Sequence, residues 1–422
     1  MDTKSKGGKK MQKQKILISN IGRLITMNPK KDQEGELEII QEAALLIEDG
    51  LIKWFGVESQ LNNVSKDNLK IIDADACIVT PGLIDCHTHI VHGGSRQNEF
   101  NLRSQGKKYW EIAKEGGGIM STVQATRKSS EDELYASAFA RAYEALSFGT
   151  TSLEVKSGYG LDVEAELKIL RVCKKLSQNH ALDFYSTFLG AHVVPEEFYN
   201  NREEYIDLVI NEMLPKVVKE NLCQFCDIFV EDGAFSIEEA RKIAIFAKDN
   251  GLAIRLHVGQ FKDLGGAELA AELKAYSADH LDYISEQGVE AMRTANVVAT
   301  VLPGASYFVG GHHYPPARKM IDNGLKVAIA TDYNPGTNPC LNLLLTGNIA
   351  ATQMNMTLSE VWKGITINAA ASLGIDSLCG SIEIGKKADL VVFDAPDEFY
   401  PLYRYDKNLV RIVIKNGEIV KK

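Results

Sequence analysis

The 422-residue chain has no apolar run of 18 residues, so no membrane-spanning helix is expected. It has no excess of positive charge. A net charge of −9 and a pI near 5.6 offer nothing overall to nucleic acid or an anionic membrane. It has no paired-cysteine framework. The seven cysteines (77, 86, 173, 223, 226, 340, 379) are scattered and odd in number, a pattern that suits a reducing cytoplasm. Cys223 and Cys226 have C-x-x-C spacing, but no second pair completes a zinc knuckle. They lead into "CDIFVE" and read as two half-buried thiols. No G-x-G-x-x-G follows a first strand, which weakens a dinucleotide-binding reading. There is no internal repeat of fixed period. The segment "MDTKSKGGKKMQKQK" has six lysines and one acid before Ile16, but no apolar core and no arginine. It matches neither a signal nor a transit peptide, and residues 1–15 are expected to form a solvated, disordered tail.

What is present is the composition of a soluble enzyme, with 45% hydrophobic and 24% charged residues. Both ends are β-rich. "KILISNIGRLITM", "EAALLIEDGLIKWFG" and "KIIDADACIVTPG" open the chain, and "GSIEIGKKADLVVFDA" and "NLVRIVIKNGEIVKK" close it. Asp49-Gly50 and Asn416-Gly417 are hairpin signals. Residues 16–80 and 381–422 are therefore expected to build a small β-sandwich, with residues 81–380 inserted between them.

The insert alternates short apolar runs with amphipathic helices. Eight runs are read at 81–87, 151–156, 184–192, 226–231, 253–258, 275–280, 297–302 and 327–332. Ser130, with Glu133 three residues on, is a capping box opening one of the helices. Eight strand–helix alternations in about 250 residues predict an α/β fold, a (β/α)₈ TIM-type barrel. A doubly wound open sheet is the alternative.

In such a barrel, chemistry sits at the C-terminal ends of the strands. Those ends read His87 and His89, Lys156, His192, Glu231, His257, His280 and Asp332. In "PGLIDCHTHIVHGG", His87 and His89 are two apart and would share one face of an extended segment. Alone, a strand-end histidine is more often structural, Asp332 could cap a helix, and Lys156 could pair with Glu154. Together, His87, His89, His257 and Asp332 suit one open divalent site, zinc by default and iron equally compatible. Such a metal activates water and polarises a carbonyl. His280 on the next strand is placed to take the proton, with Asp332 able to share that role. The class indicated is metal-assisted hydrolysis of an amide-like bond, or deamination.

This ligand pattern inside a split β-unit resembles the amidohydrolase superfamily. The stretches "HGGSRQNEF", "EIAKEGGGIMSTVQATR", "EVKSGYGLDVEAELKILRV", "TFLGAHVVPEEF", "SADHL" and "ATDYNPGT" resemble the imidazolonepropionase family within it, from about residue 70 to residue 390. That resemblance implies hydrolysis of the ring amide of 4-imidazolone-5-propanoate to N-formimidoyl-L-glutamate in histidine degradation. It implies substrate binding by Arg96, Tyr109, Tyr159, His192, Asn334, Gly336 and Thr337, one metal per chain, and a homodimer. An arginine suits the propanoate because its fork fits a carboxylate. In "KSGYG", glycines on both sides of Tyr159 permit a tight turn. Gln260 stands at a position where the family carries Glu or Gln. It is expected to orient the substrate, since an amide cannot titrate, leaving proton transfer to His280 and Asp332. Other readings stay open: another cyclic-amide hydrolase or deaminase on this scaffold, or a metal- and ligand-binding protein with impaired catalysis.

Overall fold

The computed structural model describes residues 15–28, 30, 37–62, 68–107, 111–112, 116–311 and 313–422. Apart from Lys15, the expected tail lies outside these residues. So does Tyr109.

The chain opens with β1 (Lys15–Ile25), β2 (Ile39–Glu48), β3 (Leu51–Val57), β4 (Leu69–Asp73) and β5 (Ile78–Pro81). Eight parallel strands follow: β6 (Leu83–Asp85), β7 (Thr150–Lys156), β8 (Asp183–Ala191), β9 (Phe225–Val230), β10 (Ala253–Val258), β11 (Ser277–His280), β12 (Val298–Val301) and β13 (Val327–Ile329). The last three are β14 (Leu390–Phe393), β15 (Val410–Lys415) and β16 (Glu418–Lys421). Each of the eight predicted runs carries one of the strands β6–β13.

The strands from the two ends form one sheet in the order β16-β15-β14-β5-β1-β2-β3, with β4 beside β1. Both predicted hairpin turns hold. Asp49 and Gly50 have φ of 54° and 81°, and Asn416 and Gly417 have 49° and 75°. Two consecutive positive φ values match the right-handed twist of the flanking strands. Ile18, Leu45, Ile47, Leu390 and Ile414 are among the residues of this sheet's own apolar core.

Gly82 is the step from β5 into the barrel. A Cβ there would lie 2.2 Å from Thr151 Oγ1, so only glycine lets the strands pass this closely. The barrel strands run in sequence order from β6 to β13. The seam between first and last closes beyond the strand ends, where Asp332 N–H donates to His87 O at 3.0 Å and His89 N–H donates to Tyr333 O at 2.8 Å. The predicted capping box is present. Ser130 N–H donates to Glu133 Oε2 at 2.8 Å and starts the helix Glu131–Ser147. One expectation needs correcting: Cys223 and Cys226 are both buried, not half-buried. Cys226 lies within β9, and parallel strands between neighbours are covered on both faces.

Candidate active site

The last residues of the barrel strands converge at one end. Beyond β6, His87 and His89 point to one side, while Thr88 turns away and its hydroxyl donates to Glu154 O at 2.6 Å. His257 ends on β10 and His280 on β11. Asp332 follows β13 with a φ of 54°, and His280 has a φ of 78°. Non-glycine residues in this region are costly and persist where the surroundings hold them, often at functional sites.

Two overlapping sets of ligand atoms lie within 4.8 Å of one another: His87, His89 and Asp332, and His87, His257 and His280. The Nε2 atoms of His87 and His89 each lie 3.6 Å from Asp332 Oδ1. The rings of His87 and His257 are 4.4 Å apart between centroids, and those of His257 and His280 are 5.4 Å apart. His87 Nε2 and His257 Nε2 are buried without a hydrogen-bond partner. Buried polar atoms are almost always paired, so this convergence calls for a shared electrophile. Burial, with Lys156 beside His87 and His257 beside His280, holds these imidazoles well below the usual histidine range. They are neutral at pH 7, the form that binds metal. Burial pushes the Asp332 carboxyl up to about 7. The donor set of imidazoles and one carboxyl fits a borderline divalent cation.

Beneath this set lies a second layer that the sequence reading mostly missed. His87 Nδ1–H donates to Asp279 Oδ2 at 2.7 Å, which turns Nε2 toward the site. Asp227 Oδ2 lies 3.0 Å from His257 Nδ1. Lys156 Nζ bonds Glu154 at 2.8 Å and Asp227 at 2.7 Å, and Arg255 Nη2 bonds Asp279 at 3.1 Å. The expected Lys156–Glu154 pair is therefore present. Glu231, also read as a strand-end group, turns to the next loop and accepts from Phe261 N–H at 2.8 Å. It fixes the backbone beside Gln260 and does not face the ligand atoms.

A cavity of about 120 Å³ opens over the histidines, lined by Arg96, Tyr159, His192, Gln260, Asn334 and Thr337 among others. Tyr159 is held by its turn: Gly158, Gly160 and Leu161 N–H groups all donate to the buried Glu166 carboxylate. His192 Nδ1–H donates to Gly158 O at 2.9 Å, leaving Nε2 for the cavity. Arg96 is buried and pairs with Glu99 at 2.8 Å. Its guanidinium lies against Gly336, where a Cβ would be 1.9 Å from Nη1. Asn334 is spent on its own turn. Its Oδ1 accepts from Gly336 and Thr337 N–H, both at 2.8 Å, and its Nδ2–H donates to Asp332 O at 2.8 Å. Thr337 Oγ1–H reaches Asp332 Oδ2 at 3.3 Å. The "DYNPGT" turn therefore also shapes Asp332.

A strand-end constellation of this kind on a (β/α)₈ barrel defines a metal-dependent hydrolase, and the chain belongs to the amidohydrolase family, whose profile matches residues 78–420. It is 45% identical over 411 residues to the imidazolonepropionase of Alkaliphilus oremlandii, covering 96% of this chain and 97% of that one. It is 46% identical over 389 residues to the imidazolonepropionase of Brevibacillus brevis, covering 92% of each. Within the amidohydrolases, the chain belongs to the imidazolonepropionases. In fold it is similar to a triazine hydrolase variant, with a TM-score of 0.74 at 17% identity over 97% of this chain and 95% of the other.

Proposed function

We propose that this chain hydrolyses the ring amide of 4-imidazolone-5-propanoate to N-formimidoyl-L-glutamate, breaking a carbon–nitrogen bond in a cyclic amide. The observation that carries the reading is the convergence of unpartnered imidazole nitrogens and the Asp332 carboxyl under a cavity lined by Arg96. One divalent ion, zinc or iron, would be held by His87, His89, His257 and Asp332. It would supply Lewis-acid activation of water and of the ring carbonyl.

The chain's own groups do the rest. His280, neutral and within reach of the ligand cluster, takes a proton from the attacking water, and Asp332 shares that duty. Arg96 pairs with the propanoate. Tyr159 and His192 meet the ring edge, and Tyr109 belongs to the same substrate set by resemblance. Gln260 orients the ring without titrating, and the Asn334–Thr337 turn with Gly336 shapes the floor. Residues 81–380 form the hydrolase unit, and residues 16–80 with 381–422 the β-unit. A cytoplasmic homodimer completes the reading; among the described residues no helix is long and apolar enough to cross a membrane.

The test adds imidazolone propanoate to metal-loaded protein and follows the loss of its ultraviolet absorbance, with ammonia assayed in parallel. Turnover without ammonia is expected. Ammonia release would move the chain to the deaminases, and ligand binding without turnover would mark an impaired binding protein. Metal analysis is expected to give one equivalent per chain. Gln260→Glu is expected to change kcat by less than about a hundredfold, the low end of what a general base contributes. A gain of several orders of magnitude would mean that this position carries the proton.

A further inference from the structure

The active-site cavity has a side lobe. A second cavity of about 130 Å³ shares Gln260, Phe261 and His280 with the first and extends to Asp282, Ser306 and His313. Consecutive positive φ values at His280 (78°) and Leu281 (64°) turn the chain sharply after β11. Leu281 N–H donates to Val258 O at 3.0 Å and Tyr283 N–H to Gly259 O at 2.9 Å, so the turn is stitched to the loop after β10. His313 closes the outer wall. Its Nε2–H donates to Asp282 O at 2.6 Å, and its ring stacks on Tyr283 at 4.3 Å.

Among the described residues that line the lobe, Asp282 is the only carboxylate. It is buried, and Ser306 Oγ–H donates to its Oδ1 at 2.8 Å. Among the described residues no lysine or arginine forms a salt bridge with it, in contrast to Asp227 and Asp279 nearby. Burying a carboxylate without a cation is costly, and the site gains whenever a cation enters.

The proposed reaction makes such a cation. Water adds across the amide C–N bond, placing a hydroxyl on the carbonyl carbon and a proton on the departing nitrogen. The new carboxylic acid then gives its proton to the freed N–CH=N group. That group is no longer conjugated to an acyl carbon, so it is a strong base. A ring with a weakly basic amidine becomes a carboxylate and an amidinium. We propose that the side lobe binds the formimidoyl end of the product, with Asp282 pairing its amidinium. A planar amidinium offers N–H donors in the geometry a carboxylate accepts. The charge appears only after ring opening, so the lobe favours the opened molecule over the ring.

This inference rests on the proposed reaction, and the two fail separately. Calorimetry on the metal-loaded protein compares N-formimidoyl-L-glutamate with N-formyl-L-glutamate, whose formamide is neutral. The formimidoyl compound is expected to bind at least roughly tenfold tighter, as a charged hydrogen bond implies. Asp282→Asn is expected to erase that preference while KM for the imidazolone changes less than about threefold, because the ring carries no amidinium. Equal binding of the two compounds by the unmodified protein overturns the assignment without any variant. So does a preference that survives in Asp282→Asn. Absence of imidazolone turnover would instead overturn the reaction.

Discussion

The mouth of the barrel and the layer just beneath it are both built from buried ionisable residues, and they differ in pairing. In the lower layer, Glu154, Lys156, Asp227, Arg255 and Asp279 each have an opposite charge within 3.1 Å, all fully buried. In the mouth, His87 Nε2 and His257 Nε2 have no partner. A charge-paired buried network is scaffold, because its charges are cancelled where they stand. An unsatisfied one keeps capacity for something the chain does not supply. The contrast separates catalytic from structural polar residues more sharply than residue type does. Lys156 and His257 both sit at the ends of barrel strands and both meet Asp227, but His257 keeps Nε2 without a partner.

The largest expected effect lies in the mouth. His257→Ala should lower kcat/KM by roughly a thousandfold or more, since activation of water and carbonyl is lost. Its cost to the stability of the metal-free protein should be no more than about 2 kcal/mol, the ordinary range for one substitution. Lys156→Met is the mirror experiment. It strands Glu154 and Asp227 without their cation and should cost about 3–5 kcal/mol in urea unfolding, the penalty for breaking a buried pair. If His257→Ala destabilises as much as Lys156→Met, the division between the layers fails. Asp279→Asn probes the link between them. It removes the charge that orients His87 and should weaken metal binding by about 10–100-fold in chelator competition. Unchanged affinity would mean that the lower layer only supports the fold.

The strand count, the hairpin turns and the mouth histidines were legible because each is local. A hairpin needs two residues, a strand end needs one run of apolar residues, and His87 and His89 are two apart. The lower layer was hidden for a physical reason. Asp227, Arg255 and Asp279 sit inside apolar runs where the pattern reads as buried strand, and their partners come from segments 24 to 192 residues away. Glu166 was invisible for the same reason. It lies on the face of a helix, yet its carboxylate collects three N–H groups from the "KSGYG" turn. Asn334 shows another limit. It lines the cavity, and sequence could not tell that its side chain also bonds within its own turn.

The same pairing rule reaches the junction between barrel and terminal sheet, with a smaller effect. Asp183, which opens β8, accepts from Lys387 and Lys415 Nζ, each at 2.7 Å, and Lys415 also reaches Asp389 at 2.6 Å. Burial works against the Asp183 charge, but Lys415 and Lys387 outweigh it and hold the carboxyl below its usual value of 3.8. A depressed folded-state pKa adds stability above the unfolded value and loses it as pH falls through the folded one. Asp183→Asn should therefore cost about 1–2 kcal/mol at pH 7, the scale of a charged hydrogen bond at a partly exposed site. The gap from the unmodified protein should narrow as pH drops below about 4, where the unfolded carboxyl takes up its proton. Urea titrations of both proteins at pH 7 and at about pH 3.5 measure it. A gap that stays constant with pH would place the contribution of Asp183 in packing, and the pairing that marks the lower barrel layer would not extend to this junction.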